Sequence, residues 1–179
     1  MLMVKYKRVM NMLIFYAITI AIAFIIYHAV ILAVNISFRI KVNKLLENID
    51  DLEDIQYINF KILLYITAEM FRRKGYSVKI TDKCGEEGSG LLLDDTRFVE
   101  IWRRALYREV ECEVAMKLAR CMQSNSIYRG VLITLGDFKR NTRIYCHKNV
   151  IECITGQQLL SMLKEVQKRK ALVKMPSRV

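Results

Sequence analysis

Glu100 is the carboxylate of this sequence that is best placed to do chemistry, and it lies within residues 85–104. This segment predicts a Gly-rich turn, a short apolar strand, an acidic turn and a second strand that carries Glu100. Two adjacent strands that each direct a carboxylate to one point can hold a divalent metal ion, and a nearby lysine can help to activate water there. The segment therefore suggests metal-dependent hydrolysis as the candidate reaction.

Asp94 and Asp95 are further candidate carboxylates close to Glu100 in the sequence. A pair of aspartates between two apolar strands is typical of a hairpin turn, because Asp hydrogen-bonds to nearby backbone. A turn residue is poorly placed to converge on a metal ion held by a strand residue. The turn is the favoured interpretation, and a relocated catalytic role for the two aspartates stays open. We expect no cofactor if the site is inactive and magnesium, with Glu100 as a ligand, if it is active.

The composition is strongly basic for a chain of 179 residues. Lys and Arg number 29 against 18 Asp and Glu, which gives a formal net charge of +11. A chain of this length suits one domain and an appendage, and a domain this basic favours polyanions such as nucleic acid or an anionic membrane surface. A solvated basic surface without a ligand is the alternative.

The sequence lacks the signatures of several other chemistries. There is no P-loop, no cofactor fingerprint and no Ser–His–Asp set. No Cys-x-x-Cys pair is present, and the cysteine spacing is poor for a zinc site, so reduced and mostly buried thiols in a cytosolic domain are expected. The five cysteines are Cys84, Cys112, Cys121, Cys146 and Cys153.

An apolar run near the N-terminus predicts a membrane span. Residues 13–38 carry no formally charged side chain, and as a helix they would extend roughly 39 Å at 1.5 Å per residue, enough for one crossing. We expect a basic tail over 1–12, an uncleaved transmembrane helix over 13–38 and a linker over 39–50. Basic residues flank both ends of the run, but the cysteines and the basic domain favour a cytoplasmic C-terminal domain.

Tyr27 and His28 lie near the middle of this apolar run. One interpretation is a polar contact with a partner helix, including that of a second copy in a homo-oligomer. The favoured interpretation is a neutral histidine tolerated in lipid.

The remaining chain predicts an α/β fold in which a mixed sheet is flanked by helices. Apolar spacing alternates between the helical and the strand period over residues 51–170, and a short tail follows over 171–179. Gly75 is expected to end the first helix, and Thr155 with Gln158 is expected to cap the last one. The predicted helices are 51–74, 107–123, 138–147 and 155–170, and the predicted strands outside the central segment are 76–81, 130–134 and 149–154.

Three motifs link this order of elements to a known family. Residues 68–78 form a helix that ends in Gly-Tyr before a strand, residues 130–138 a buried strand with a Thr-x-Gly-x-Phe turn, and residues 150–160 a strand, a Gly turn and a Leu-rich helix. In this order and spacing, over residues 51–168, they resemble the catalytic domain of Mrr-like (type IV) restriction endonucleases of the PD-(D/E)xK superfamily. The resemblance implies a restriction-endonuclease-like fold and an ancestral role in DNA defence.

The catalytic motifs of that family are incomplete in this chain. The acidic residue of the first helix falls at Lys61, and the metal-binding aspartate of the Gly-rich motif falls at Leu91. The Glu-x-Lys pattern aligns with residues 100–102, so that Glu100 is retained and Trp102 replaces the lysine. The resemblance therefore implies lost or weak nuclease activity.

Three functions remain open from the sequence. The first is a membrane-anchored domain that binds DNA and cuts it poorly or not at all; the second is a magnesium-dependent DNA endonuclease with relocated catalytic residues. The third is a protein-interaction scaffold at the membrane that does not bind nucleic acid. The candidate DNA contacts are Arg103, Arg104, Arg108, Lys139, Arg140 and Arg143.

Overall fold

The protein is described here from a computed structural model, which covers residues 2–83, 85, 88–103 and 108–174. The chain divides into two compact units, Met1–Lys41 and Val42–Val179. Helix α1 (Leu2–Glu47) makes up the first unit and contributes its last turns to the second.

Helix α1 is uninterrupted because its 46 residues include no glycine and no proline. Within it, Ile18–Glu47 is long and apolar enough to cross a membrane, with a mean hydropathy of 2.2. The predicted linker over 39–50 is helical as far as Glu47. His28 packs edge-on against the ring of Phe24 in the same helix, with 4.3 Å between ring centroids.

Two helices, α2 (Leu52–Tyr57) and α3 (Phe60–Arg73), stand where one helix over 51–74 was predicted. The single-helix prediction was wrong because Ile58 is extended and Asn59 starts a new helix. The Asn59 side chain accepts a hydrogen bond from the backbone N–H of Lys61 at 2.9 Å, as an N-cap residue does.

A mixed sheet forms the centre of the second unit, and the predicted α/β class is confirmed. In the described part of the chain five strands follow the order β1-β2-β3-β5-β7. The two pairings β1–β2 and β2–β3 are antiparallel, whereas β3–β5 and β5–β7 are parallel. The strands are β1 (Val78–Thr81), β2 (Gly90–Leu93), β3 (Arg97–Trp102), β5 (Arg129–Thr134) and β7 (Ile151–Ile154).

A further pair of parallel strands, β4 (Glu109–Val110) and β6 (Asp137–Phe138), was not predicted. Each has two residues, which is too short for strand periodicity to be visible in a sequence. The residues of β4 had been assigned to a helix over 107–123, which instead begins at Cys112.

Helices cover both faces of the sheet. The remaining helices are α4 (Cys112–Ser124), α5 (Arg140–Lys148) and α6 (Gly156–Lys174). One face, which we call the α4/α5 face, packs Phe98 and Leu132 against Ala115 and Leu118 of α4. Helices α3 and α6 contact the sheet as well, and alternation along the strands places Val99 and its neighbours on the face opposite to Phe98.

Local signals set the start of helix α6. Thr155 and Gln158 form the predicted capping interaction, in which the backbone N–H of Thr155 donates to Gln158 at 2.8 Å. Gly156 approaches the end of β5 so closely that a Cβ there would lie 2.1 Å from the Leu135 carbonyl oxygen. The helix continues to Lys174, four residues into the segment predicted as a tail.

The cysteine prediction was wrong at one position. Cys121 is disulfide-bonded, whereas Cys112, Cys146 and Cys153 are free thiols. Cys146 is buried in the core of the α4/α5 face, and its pKa is raised by a hydrogen bond with Cys153 and by burial. A disulfide is unusual in cytosolic proteins, so the expectation of uniformly reduced thiols does not hold.

Candidate active-site positions and nucleic-acid interface

Glu100 is a buried carboxylate in the middle of β3. It is 6% exposed and lies beside Leu132 of the parallel neighbour β5. Burial of a charged carboxylate is costly unless it is paired, and Glu100 does have a polar or electrostatic partner. Its side chain projects from the α4/α5 face, as does that of Phe98 two residues away in the strand. We call the part of this face around Glu100 the Glu100 face.

Leu91 and Glu100 are not brought together. Leu91 pairs with Val99 across β2 and β3, so their side chains share a face, and Glu100, next to Val99, projects from the other face. The residue of β2 that does share the Glu100 face is Leu92, which pairs with Phe98. Continuing the register by one residue places Gly90 across from Glu100. The position aligned with the lost aspartate is thus offset by one residue from the Glu100 face.

Trp102 does lie on the Glu100 face, as a Glu-x-Lys arrangement requires. Its half-buried ring packs against the core of the α4/α5 face. Indole offers one weakly acidic N–H donor and carries no charge. It therefore cannot provide the ammonium group that a lysine would hold beside the carboxylate.

Asp94 and Asp95 form the turn between β2 and β3, with φ angles of 49° and 55°. Asp94 accepts a hydrogen bond from the backbone N–H of Ser77 at 2.8 Å, and Asp95 pairs with Lys79 at 2.7 Å. Glu100 is the fourth residue of β3, which starts at Arg97, so that roughly 10 Å of strand separates it from the turn at about 3.3 Å per residue. The two aspartates and Glu100 therefore do not converge on one metal ion.

The described residues that share a sheet face with Glu100 do not fit a magnesium ion. Gly90, Leu92 and Trp102 share its face but offer no oxygen ligand from their side chains. Among the residues that the structure describes, no group of three or more His, Cys, Asp or Glu side chains is arranged to hold a metal. Magnesium prefers an octahedral set of oxygens that includes one or two carboxylates.

Arg103, a predicted DNA contact, forms a hydrogen bond inside the domain. Its Nη1 atom donates to the backbone carbonyl of Ile58 at 2.6 Å, and the side chain is only partly exposed. This contact ties the end of β3 to the break between α2 and α3. Arg104, also predicted as a DNA contact, lies outside the described residues.

Lys139 and Arg143 are solvent-accessible but lie next to carboxylates. Lys139 pairs with Glu111 at 2.5 Å, and this hydrogen bond raises the pKa of the lysine. Arg143 pairs with Asp137, and its guanidinium lies 5.8 Å from the centre of the Phe138 ring. These acids reduce the positive potential of the predicted surface.

Arg108 and Arg140 are the better placed pair for phosphate contacts. Both are exposed, and neither forms an ion pair with a carboxylate in the described part of the chain. Arg108 lines a cleft of about 400 Å³ that also contains two acids, Glu109 and Asp137, but it forms no ion pair with either. We call the side where β3, β5 and β7 end the C-terminal edge; Arg140, at the start of α5, follows β6 there.

Comparison with known proteins gives a family and one structural likeness. The profile of the family Mrr_cat, restriction endonuclease, matches residues 57–163, more than half of the chain. Among curated proteins, none matches. The structure is similar to one of MspJI restriction endonuclease in complex with a 27-mer oligonucleotide, with a TM-score of 0.41 and 17% sequence identity. That likeness covers 58% of this chain and 27% of the MspJI chain, so this chain spans about a quarter of it.

Proposed function

The chain belongs to the Mrr-type restriction endonuclease family, and from that membership we propose that its second unit binds DNA with its capacity to cut lost or nearly lost. DNA is the expected ligand because restriction endonucleases act on it. The formal net charge of +11 supports the same ligand class.

The observation that carries the loss of cleavage is the set of residues on the Glu100 face of the sheet. Phosphodiester hydrolysis with one or two metal ions needs carboxylates that converge within a few ångströms. Leu92 and Trp102 supply neither a second carboxylate nor an amine beside Glu100, and Gly90 has no side chain. Glu100 is buried and has a polar or electrostatic partner, which suits a structural role.

For DNA binding we propose the C-terminal edge as the contact surface. Arg108 and Arg140 would contact phosphates, since exposed guanidinium groups bind phosphate oxygens in a bidentate manner. Lys139 and Arg143 would contribute less, because Glu111 and Asp137 already neutralise them. Contacts of this kind position the protein on DNA and carry no sequence information.

We further propose that α1 anchors the chain in a membrane by a single pass, with the second unit in the cytoplasm, where DNA is accessible. The length and apolar composition of Ile18–Glu47 support the anchor. The free thiols of Cys146 and Cys153 agree with a reducing compartment, whereas the disulfide at Cys121 does not. Protease treatment of intact and permeabilised cells tests the orientation: digestion of the second unit only after permeabilisation supports it.

The full chain, purified in detergent, tests the loss of cleavage. We expect it to retain supercoiled plasmid in a mobility assay and to leave that plasmid intact in the presence of Mg²⁺. The matched variant Glu100→Ala separates real activity from a contaminating nuclease. Cleavage by the unmodified chain that Glu100→Ala abolishes would refute the proposal and favour an active endonuclease with relocated residues.

A further inference from the structure

The edge of the sheet opposite to the C-terminal edge carries a second basic surface, which the sequence alone did not reveal. Strands β1, β3, β5 and β7 run in the same direction, so all four begin at one side, which we call the starting edge. Arg97 is the first residue of β3 and Arg129 the first of β5, and the two are register partners. Their side chains therefore leave the sheet next to each other on one face.

Two like charges directly across from each other destabilise a sheet unless something offsets them. Neither Arg97 nor Arg129 forms an ion pair with a carboxylate in the described ranges. The Arg97 guanidinium lies 5.9 Å from the centre of the Tyr76 ring, a contact that orients the charge without neutralising it. Two adjacent guanidinium groups that have no carboxylate partner among the described residues are suited to bind an anion.

Both arginines line one cleft of about 380 Å³ at the starting edge. His147, from the last turn of α5, and Glu152, from β7, line the same cleft. The two arginines outnumber the single acid Glu152 in the lining, so that the cleft is basic. Exposed Lys148, next to His147, extends the basic surface along the same edge.

The chain enters the second unit at this starting edge. Helix α3 ends at Arg73, three residues before Tyr76, whose ring lies beside Arg97. The Arg73 Nη2 atom donates to the Oδ1 atom of Asn43 at 2.7 Å. Asn43 is five residues along the chain from Phe38, the end of the uncharged run. Only a few residues of chain therefore separate the uncharged run from the starting edge.

We propose that the starting edge, through Arg97 and Arg129, binds the phosphates of anionic phospholipid headgroups. This inference rests on the proposed membrane anchor. Guanidinium groups suit a phosphodiester because their donors match pairs of phosphate oxygens. Anionic lipid attracts basic residues that lie within a Debye length of the membrane surface. Lipid is favoured over DNA here because only a few residues of chain separate this edge from the proposed membrane-spanning run.

The test uses the full chain in nanodiscs and its single tryptophan, Trp102. Energy transfer from Trp102 to a headgroup-labelled dansyl lipid is measured in discs of phosphatidylcholine alone and in discs that also contain phosphatidylglycerol. We expect higher transfer in the anionic discs and loss of that increase in high salt, since screening removes the attraction. Equal transfer in the two kinds of disc would overturn the proposal.

Two matched double variants show whether the increase in energy transfer depends on the starting edge or on the C-terminal edge. Arg97→Gln with Arg129→Gln should lose the increase in transfer, whereas Arg108→Gln with Arg140→Gln, with the same change of charge at the C-terminal edge, should keep it. Unchanged thermal unfolding checks that each variant is folded, and the salt dependence of the unmodified chain tests the proposal without any substitution. Loss of the increase in both variants would overturn the assignment to the starting edge.

Failure of the anchor and failure of this surface give different results. A chain that does not float with phosphatidylcholine vesicles lacks the anchor, and that result overturns both proposals. A chain that floats but does not respond to phosphatidylglycerol retains the anchor and overturns only the lipid surface. If Arg97→Gln with Arg129→Gln abolishes DNA binding and leaves the lipid response intact, the starting edge binds DNA instead.

Discussion

Leu91 and Glu100 lie on neighbouring antiparallel strands, yet their side chains project from opposite faces of the sheet, because Leu91 pairs with Val99. Leu91 is fully buried, on the face opposite to the one where Glu100 and Trp102 lie. A shift of one residue in a strand moves a side chain to the other face. An aspartate restored at position 91 would therefore not meet Glu100, whereas one at position 92 would share its face.

The register predicts a contrast between two double variants. Leu92→Asp with Trp102→Lys should gain Mg²⁺ binding, seen as a rise in the unfolding temperature on adding Mg²⁺, because both new groups share the face of Glu100. Leu91→Asp with Trp102→Lys should show no such rise. It should also lose about 3 kcal/mol or more of stability from the carboxylate forced into the core. Equal Mg²⁺ responses in the two variants would contradict the register.

The order of elements in the second unit could be predicted from the sequence because its signals are local. The apolar run at residues 130–134, the glycine after α3 and the Thr155–Gln158 cap each act over a few residues. The break at Asn59 was missed because a weak N-cap signal stood within a continuous apolar stripe. The predicted α/β class followed from these local features together.

The candidate site could not be predicted to the same degree, because it depends on contacts between distant residues. Arg103 reaches Ile58, which is 45 residues away, and Lys139 reaches Glu111 across 28 residues. Neither pairing has a local sequence signal. Arg97 and Arg129 become neighbours only through the parallel register of β3 and β5.

Glu111 is predicted to restrain DNA binding. Glu111→Gln would free Lys139 from its ion pair and remove a negative charge from the C-terminal edge. We expect tighter DNA binding and a salt slope steeper by about one, as for one additional phosphate contact. Glu113→Gln, at an exposed position in the first turn of α4, which Glu111 precedes, is the matched control, since it removes the same charge without freeing Lys139. Equal effects of the two variants would argue against release of the lysine.

Gln167 is predicted to stabilise the junction at which α1 ends. Its Nε2 atom donates to the carbonyl oxygens of Leu46 at 2.6 Å and Ile49 at 3.1 Å. Gln167→Ala would leave these acceptors without that donor, and we expect a loss of about 1–3 kcal/mol in the free energy of unfolding. Gln157→Ala, at an exposed position of the same helix, should change stability little. Denaturant titration of both variants measures the difference.

Acid is predicted to weaken the contact between α3 and α6. Lys74 lies 3.1 Å from Glu165, and its hydrogen bond lowers the pKa of that carboxyl group. Because the pKa in the folded state lies below that of the unfolded chain, the pair stabilises the fold above about pH 4 and is lost as the pH falls further. Glu165→Gln and Lys74→Met should each flatten the fall in unfolding temperature below that pH, and high salt should reduce the difference because Glu165 is exposed.

The salt dependence of DNA binding is the sharpest test of whether the second unit binds DNA. The full chain in detergent is titrated against a fluorescent duplex by anisotropy at increasing salt concentrations. If Arg108 and Arg140 each contact a phosphate, the logarithm of the affinity should fall with the logarithm of salt concentration with a slope of about −2 or steeper. The Arg108→Gln, Arg140→Gln variant should reduce that slope by about 2. Absence of binding at low salt, or an affinity that does not change with salt, would contradict a DNA-binding function.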